Sequence, residues 1–174
     1  GSEMCIRDRP DGERDDCEGK WLVCTPESAY NFSAVGFVFG RRLFNELHTP
    51  VGLILSAKGD THVESWTKMD VMKNNPLYTD VFDEFGVENV KQNKLYKVPS
   101  TLWNGMIKPI LGYTVKGAIW YQGEANAMRY AQYQQVFTNM INSWRKEWGQ
   151  PDLPFYFVQI APFKDCLLYT SPSP

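Results

Sequence analysis

Histidine is nearly missing from this chain: only His48 and His62 occur in its 174 residues. No Cys-x-x-C spacing and no Cys/His pair at metal-ligand spacing is present, which excludes the usual structural zinc site. A basic stripe is also lacking. The formal charge is −2 with both signs interspersed, so nucleic acid is not an expected partner. No apolar run approaches the length of a membrane span. There is no Gly-x-Gly-x-x-Gly and no P-loop lysine, which argues against a nucleotide-phosphate cradle. Internal repeats are absent. Of four cysteines, Cys17 and Cys24 lie in the body of the chain. They either close a small disulfide hairpin or remain two reduced thiols, and so few cysteines favour the second.

What is present is globular in character. Hydrophobic residues make up 43% and aromatics 14%, too many for a disordered chain. The two ends stand apart from the rest. Met4-Cys-Ile-Arg-Asp8 is encodable by ATG TGT ATA AGA GAC, and Cys166-Leu-Leu-Tyr-Thr170 by TGT CTC TTA TAC ACA. The reverse complement of the second, continued by one T, regenerates the first. Unrelated protein termini should not be encodable by opposite strands of one short DNA. Residues 1–9 and 166–174 are therefore expected to derive from a sequencing adapter. Residues 10–165 are expected to be the partial domain, about 155 residues, enough for one sizeable core. On this reading the true start is missing, and the first residues say nothing about export.

The spacing of apolar residues gives an alternating order. Lys20 to Cys24 reads as a short strand, and Asn31 as an N-cap. Phe32, Val35, Phe39, Leu43 and Leu47 follow helical spacing, with Gly36 and Gly40 leaving room for a close neighbour. Val51 to Leu55 is a continuous apolar strand, expected to be buried on both faces. His62 to Thr67 reads as a short helix or turn. Helices are expected near Asp70–Lys73 and Leu77–Phe85, and Pro109 should end or kink whatever precedes it. A strand over Val115–Tyr121 is followed by the clearest helix. Tyr130, Tyr133, Phe137, Met140, Ile141, Trp144 and Trp148 form its stripe. Phe155–Ile160 is a last strand. Such alternation predicts a three-layer α/β/α domain with a mainly parallel sheet.

Two strand ends run into polar, glycine-containing turns: Ser56-Ala-Lys-Gly-Asp-Thr61 and Gln122-Gly-Glu124 with Asn126. Ligands in α/β sheets bind at such carboxyl ends. Ordinary strand-to-helix capping would use the same residue types, so either turn alone is a moderate signal.

Taken together, the two turns give the chain a resemblance to sialate O-acetylesterase-type carbohydrate esterases, within the SGNH (GDSL-like) hydrolases. The matching residues are Phe32-Ser-Ala-Val35, Phe39-Gly-Arg41 and Leu43; Gly52-Leu-Ile54; and Ser56, Gly59, Thr61, Glu64 and Trp66. They continue with Pro99, Leu102, Asn104-Gly-Met-Ile107, Pro109 and Lys116-Gly-Ala-Ile-Trp-Tyr-Gln-Gly-Glu124. Asn126, Ala127, Trp144-Arg145, Leu153-Pro-Phe155 and Val158-Gln159 complete the set.

The resemblance implies an incomplete SGNH fold and hydrolysis of acetyl esters on a sugar. A serine attacks the carbonyl, a His–Asp pair activates it, and preorganised donors hold the oxyanion. It implies Gly59 and Gln122 as oxyanion donors, Glu124 as an orienting group, and Asp60, Thr61 and Asn126 at the substrate. The implied partner is an acetylated carbohydrate, with no metal or organic cofactor. Relatives of this type commonly act outside the cytoplasm, secreted or periplasmic.

Two departures follow. Gly59-Asp-Thr61 stands where such families carry Gly-Gly-Thr, and an Asp60 carboxylate would disfavour a nearby oxyanion unless it points away. The Gly-x-Ser-Asn and Asp-x-x-His motifs are absent from the sequence. Truncation at the adapter junctions explains both losses, so the isolated chain is expected to be inactive while its parent is an esterase.

Two other readings remain. Asp60, His62 and Glu64 would point one way on a strand and could ligate a divalent metal, but a turn after Gly59 is expected instead, with His62 at a surface or cleft. Trp66, Trp103, Trp120 and Tyr121 could stack on sugar rings in a non-catalytic glycan-binding domain, though aromatics at such spacing more often form core. Sequencing the source locus outward tests the truncation reading. A Gly-x-Ser upstream of Trp21 and an Asp-x-x-His downstream of Phe163 are expected. A natural gene lacking both would remove the basis for an esterase.

Overall fold

The computed structural model describes residues 12–160. The adapter reading of residues 1–9 and 166–174 lies outside them. The chain divides into two compact units, one built on Cys17–Ala57 and the other on Lys58 onward together with the residues up to Asp16.

In the first unit, α1 (Pro26–Tyr30) starts at a reciprocal cap. The Thr25 hydroxyl accepts from Ser28 N–H at 3.2 Å, and Ser28 Oγ accepts from Thr25 N–H at 2.9 Å. Asn31 closes α1 instead of opening the next helix. That task falls to Ser33, whose hydroxyl accepts from Gly36 N–H at 3.1 Å at the start of α2 (Ala34–Leu47). The helix stops where His48 turns left-handed.

Gly40 does meet a close neighbour: a Cβ there would sit 2.7 Å from Leu53 Cδ1. Neither Lys20–Cys24 nor Val51–Leu55 forms a strand among the described residues. Apolar β-branched composition favours extension, but a strand needs a ladder partner. Nor is Val51–Leu55 buried on both faces. Leu53 turns to Gly40, while Ile54 is 38% exposed. Cys24 is an exposed free thiol, so Cys17 and Cys24 are not bridged to each other.

The second unit holds the core. After a 3₁₀ turn at Val63–Trp66 come α3 (Met69–Met72), a 3₁₀ turn at Pro76–Tyr78 capped by Asn75, and α4 (Thr79–Phe85). These lie within a residue or two of the expected helices. The helical turns before Pro109 widen to a π turn at Trp103–Ile107 and then tighten to 3₁₀ at Lys108–Ile110. Pro109 has no N–H to continue the α ladder, and its ring crowds the preceding turn.

β1 (Ala118–Trp120), α5 (Tyr130–Glu147) and β2 (Phe155–Phe157) form a β-α-β unit. The two strands are parallel, with Ala118 opposite Phe155 and Trp120 opposite Phe157. Both are shorter than the apolar runs that contain them, because a run is hydrogen-bonded only where the partner's register overlaps it. Two parallel strands with helices are what the α/β reading requires of this stretch.

Tryptophan dominates the packing. Trp120 makes edge-on contacts with Trp66 at 6.2 Å and Trp144 at 6.0 Å between ring centres, and Trp103 lies 6.4 Å from Trp144. Val136, Met140 and Trp144 turn the buried face of α5 inward at four-residue steps. Trp66, Trp103 and Trp120 are thus core, whereas Tyr121 is 59% exposed. Trp144 Nε1 donates to the Trp66 carbonyl at 2.9 Å inside this cluster, and Trp148 Nε1 donates to the Tyr113 carbonyl at 3.1 Å near solvent. Trp144→Phe should cost about 1–3 kcal/mol, because it leaves a buried carbonyl without its donor. Trp148→Phe should cost well under that, both read from urea-unfolding midpoints. Equal losses would contradict the assignment of Trp144 to the core.

Candidate functional site

The polypeptide leaves β1 at Tyr121 and turns through Gln122 and Gly123 into a 3₁₀ segment, Glu124–Arg129, that runs directly into α5. Gly123 is closely approached: a Cβ would lie 3.1 Å from Ile160 Cδ1, tight enough that this side chain would have to shift slightly. The earlier turn, Lys58–Thr61, is fastened to the core from below. Thr61 Oγ1 donates to the Lys58 carbonyl at 2.9 Å and accepts from Trp66 Nε1 at 3.0 Å.

Gln122 joins the two turns. Its Nε2 donates to the Thr61 carbonyl at 2.9 Å and to Asn126 Oδ1 at 2.7 Å. Asn126 Oδ1 also accepts from Val63 N–H at 3.0 Å, and its Nδ2 donates to Glu64 Oε2 at 2.9 Å. The other Glu64 oxygen takes Arg129 at 3.1 Å, and Arg129 reaches Glu84 at 3.5 Å. The Tyr133 hydroxyl lies 3.0 Å from Gln122 Oε1 and 3.1 Å from the Gln122 carbonyl, with one proton for the two. Burial pushes the Tyr133 phenol up to about 12, so it remains a donor at neutral pH.

Of the residues singled out in the sequence, Thr61, Gln122 and Asn126 meet in this one network. Thr61 and Asn126 are 3% and 1% exposed. Their polar side-chain atoms are spent on the protein. Gln122 is half-buried, while Gly59 and Glu124 are exposed.

Asp60 sits at φ +60°, the left-handed region that favours glycine. Its carboxylate accepts from Lys97 Nζ at 2.8 Å and Tyr96 Oη at 3.2 Å. The Lys97 hydrogen bond holds the Asp60 carboxyl below its usual range.

Arg129 and Tyr133 received no site role from the sequence, and Glu64 only the disfavoured one of a metal ligand. Glu64 belongs to the same motif run, and an ionisable residue in a turn leading to a tryptophan was the available signal. Tyr133 was absorbed into the α5 stripe. Asp60 and Glu64 bind different cations, and no three His, Cys, Asp or Glu side chains converge as a metal site among the described residues.

His62 is a correction. It lies neither at a surface nor in a cleft but is 4% exposed, its ring 4.2 Å from Phe85 centre to centre. Burial drives its pKa down to about 4, helped by the charges of Arg129 and Lys97 against the opposing Asp60.

A family profile described as "Carbohydrate esterase, sialic acid-specific acetylesterase" matches residues 25–171. Mouse sialate O-acetylesterase is 32% identical over 160 residues, covering 75% of this chain and 30% of the mouse protein. The human protein is 34% identical over 137 residues, covering 74% and 25%. The crystal structure of a carbohydrate acetylesterase from Xanthomonas citri superposes with a TM-score of 0.74 at 32% identity, over 88% of this chain and 32% of that one. The chain therefore spans about a third or less of the length of these proteins.

The neutral, buried His62 makes a pH prediction. Its folded pKa lies below the unfolded value, so its contribution is complete above about pH 6.5 and is lost as pH falls toward 4. Stability should drop by about 2 kcal/mol between pH 7.5 and 5 from this residue, and His62→Phe should flatten that part of the profile. Parallel profiles for the two proteins would contradict the burial.

Proposed function

This chain belongs to the sialic acid-specific acetylesterase family of carbohydrate esterases, and on that premise we propose that the protein it comes from removes acetyl groups from acetylated sugars as a serine ester hydrolase. The observation that carries this reading is the Gln122–Thr61 hydrogen bond, which brings the two family turns together at 2.9 Å. Acyl transfer needs donors aimed at the carbonyl oxygen as it gains charge. The exposed Gly59 turn offers backbone N–H, and Gln122 offers a neutral amide that brings no charge needing its own partner.

Both amide protons of Gln122 are engaged in this structure. Serving an oxyanion therefore means sharing one of them. The proton on the Thr61 carbonyl, in the longer of the two bonds, is the one an oxyanion would share. Glu124, exposed beside this turn, is placed to orient neighbouring groups or the sugar. Asp60 borders the same turn with its carboxylate committed to Lys97 and Tyr96, which removes the main objection to an oxyanion near residue 59. Thr61 and Asn126 act from beneath, through Gln122.

The nucleophile and its His–Asp partners come from sequence this chain does not contain. His62 does not substitute for them, being buried against Phe85 and held neutral. The 174-residue chain alone is accordingly inert. A non-catalytic glycan-binding role is weaker, because three of its four candidate stacking aromatics lie in the core.

In the intact protein, Gln122→Ala should lower kcat for an acetylated sugar about 10²–10³-fold with KM little changed. The isolated chain should release no acetate. Acetate release by the isolated chain that Gln122→Ala abolishes would overturn its inertness, and an intact protein with no esterase activity would overturn the assignment itself.

A further inference from the structure

Gln122 has two amide protons and one carbonyl oxygen, and the protein treats the three differently. One proton rests on a backbone carbonyl, that of Thr61, at 2.9 Å. The other is held at 2.7 Å by Asn126 Oδ1, and Tyr133 donates toward the oxygen at 3.0 Å.

Asn126 cannot turn its amide over. Its Nδ2 faces the Glu64 carboxylate at 2.9 Å, and its Oδ1 faces two N–H groups, those of Gln122 and Val63. A reversed amide would set oxygen against carboxylate and N–H against N–H. Glu64 in turn is fixed by Arg129 at 3.1 Å and is only 2% exposed. Orientation thus passes from Arg129 to Glu64 to Asn126 to Gln122.

We propose that Glu64 and Asn126, with Tyr133 on the opposite side, are positioning residues that anchor one amide proton and the oxygen of Gln122, so that its planar amide presents the second proton in one fixed direction, to be shared between the Thr61 carbonyl and the oxygen of the reacting ester. The proposal rests on the donor role assigned to Gln122. It adds the reason a flexible side chain can act as a preorganised donor: the rotation that would scatter its proton is blocked at two of its three polar points. None of the three positioning residues need touch the substrate.

A double-mutant cycle in the intact enzyme separates positioning from mere support, with kcat and KM measured on an acetylated sugar and folding checked by thermal midpoint. Asn126→Ala should lower kcat about tenfold or more with KM nearly constant, and Tyr133→Phe should lower it several-fold. In a Gln122→Ala background both changes should cost almost nothing further, because the group they position is gone. Losses that multiply in that background would overturn the anchoring role while leaving the donor role intact. An undiminished kcat in Gln122→Ala alone would overturn both. Tyr133→Phe removes a single hydroxyl, so it keeps the test decisive if Asn126→Ala does not fold.

Discussion

A carboxylate shut away from water must find its counter-charge and its hydrogen bonds inside the protein. Glu64 is in that position, and much of the second unit is arranged around it. Arg129 supplies the charge, which requires the 3₁₀ segment after β1 to deliver a guanidinium next to the turn at Val63–Trp66. Asn126 supplies the second donor from the same segment, one turn earlier. Trp66, two residues beyond Glu64, anchors the turn in the aromatic core through the Trp144 bond. Taking away Arg129 would strand the buried Glu64 charge, a loss of about 3–5 kcal/mol. The two family turns are therefore tied to each other by an electrostatic requirement as well as by packing.

The part of this that could be read from the chain is the part governed by local pattern. The α5 stripe announced itself because a helix buries every third or fourth residue, and helices near residues 69–72 and 79–85 were legible within a residue or two for the same reason. Strands were overextended, since an apolar run gives the material of a strand and not the reach of its partner. Ser33 displaced Asn31 as a cap because both are suitable types and only the entry angle of the chain chooses between them. At the site, Gln122, Thr61 and Asn126 were visible as types in turns, but not that Thr61 and Asn126 lie below the surface. The Glu64–Arg129 pair spans 65 positions. No local pattern joins residues so far apart, so the ion pair that organises the site was invisible.

Asp60 illustrates how a departure from a family pattern can be absorbed. Its backbone adopts a conformation that glycine enters at no steric cost, and Asp is among the residues that tolerate it best. Its added charge is met by Lys97 and by the Tyr96 hydroxyl. The turn keeps its shape, and the carboxylate is drawn to one flank of it.

The bond between Gln122 and the Thr61 carbonyl closes a loop of 61 residues. Bringing such distant segments together costs chain entropy that only the finished core offsets. Parallel pairing of β1 with β2 likewise waits for α5 to cross between them. The bonds inside each turn, such as Gln122 to Asn126 and Thr61 to Lys58, shape the turns but do not bring them together: the site as a whole exists only where the long-range contacts are closed.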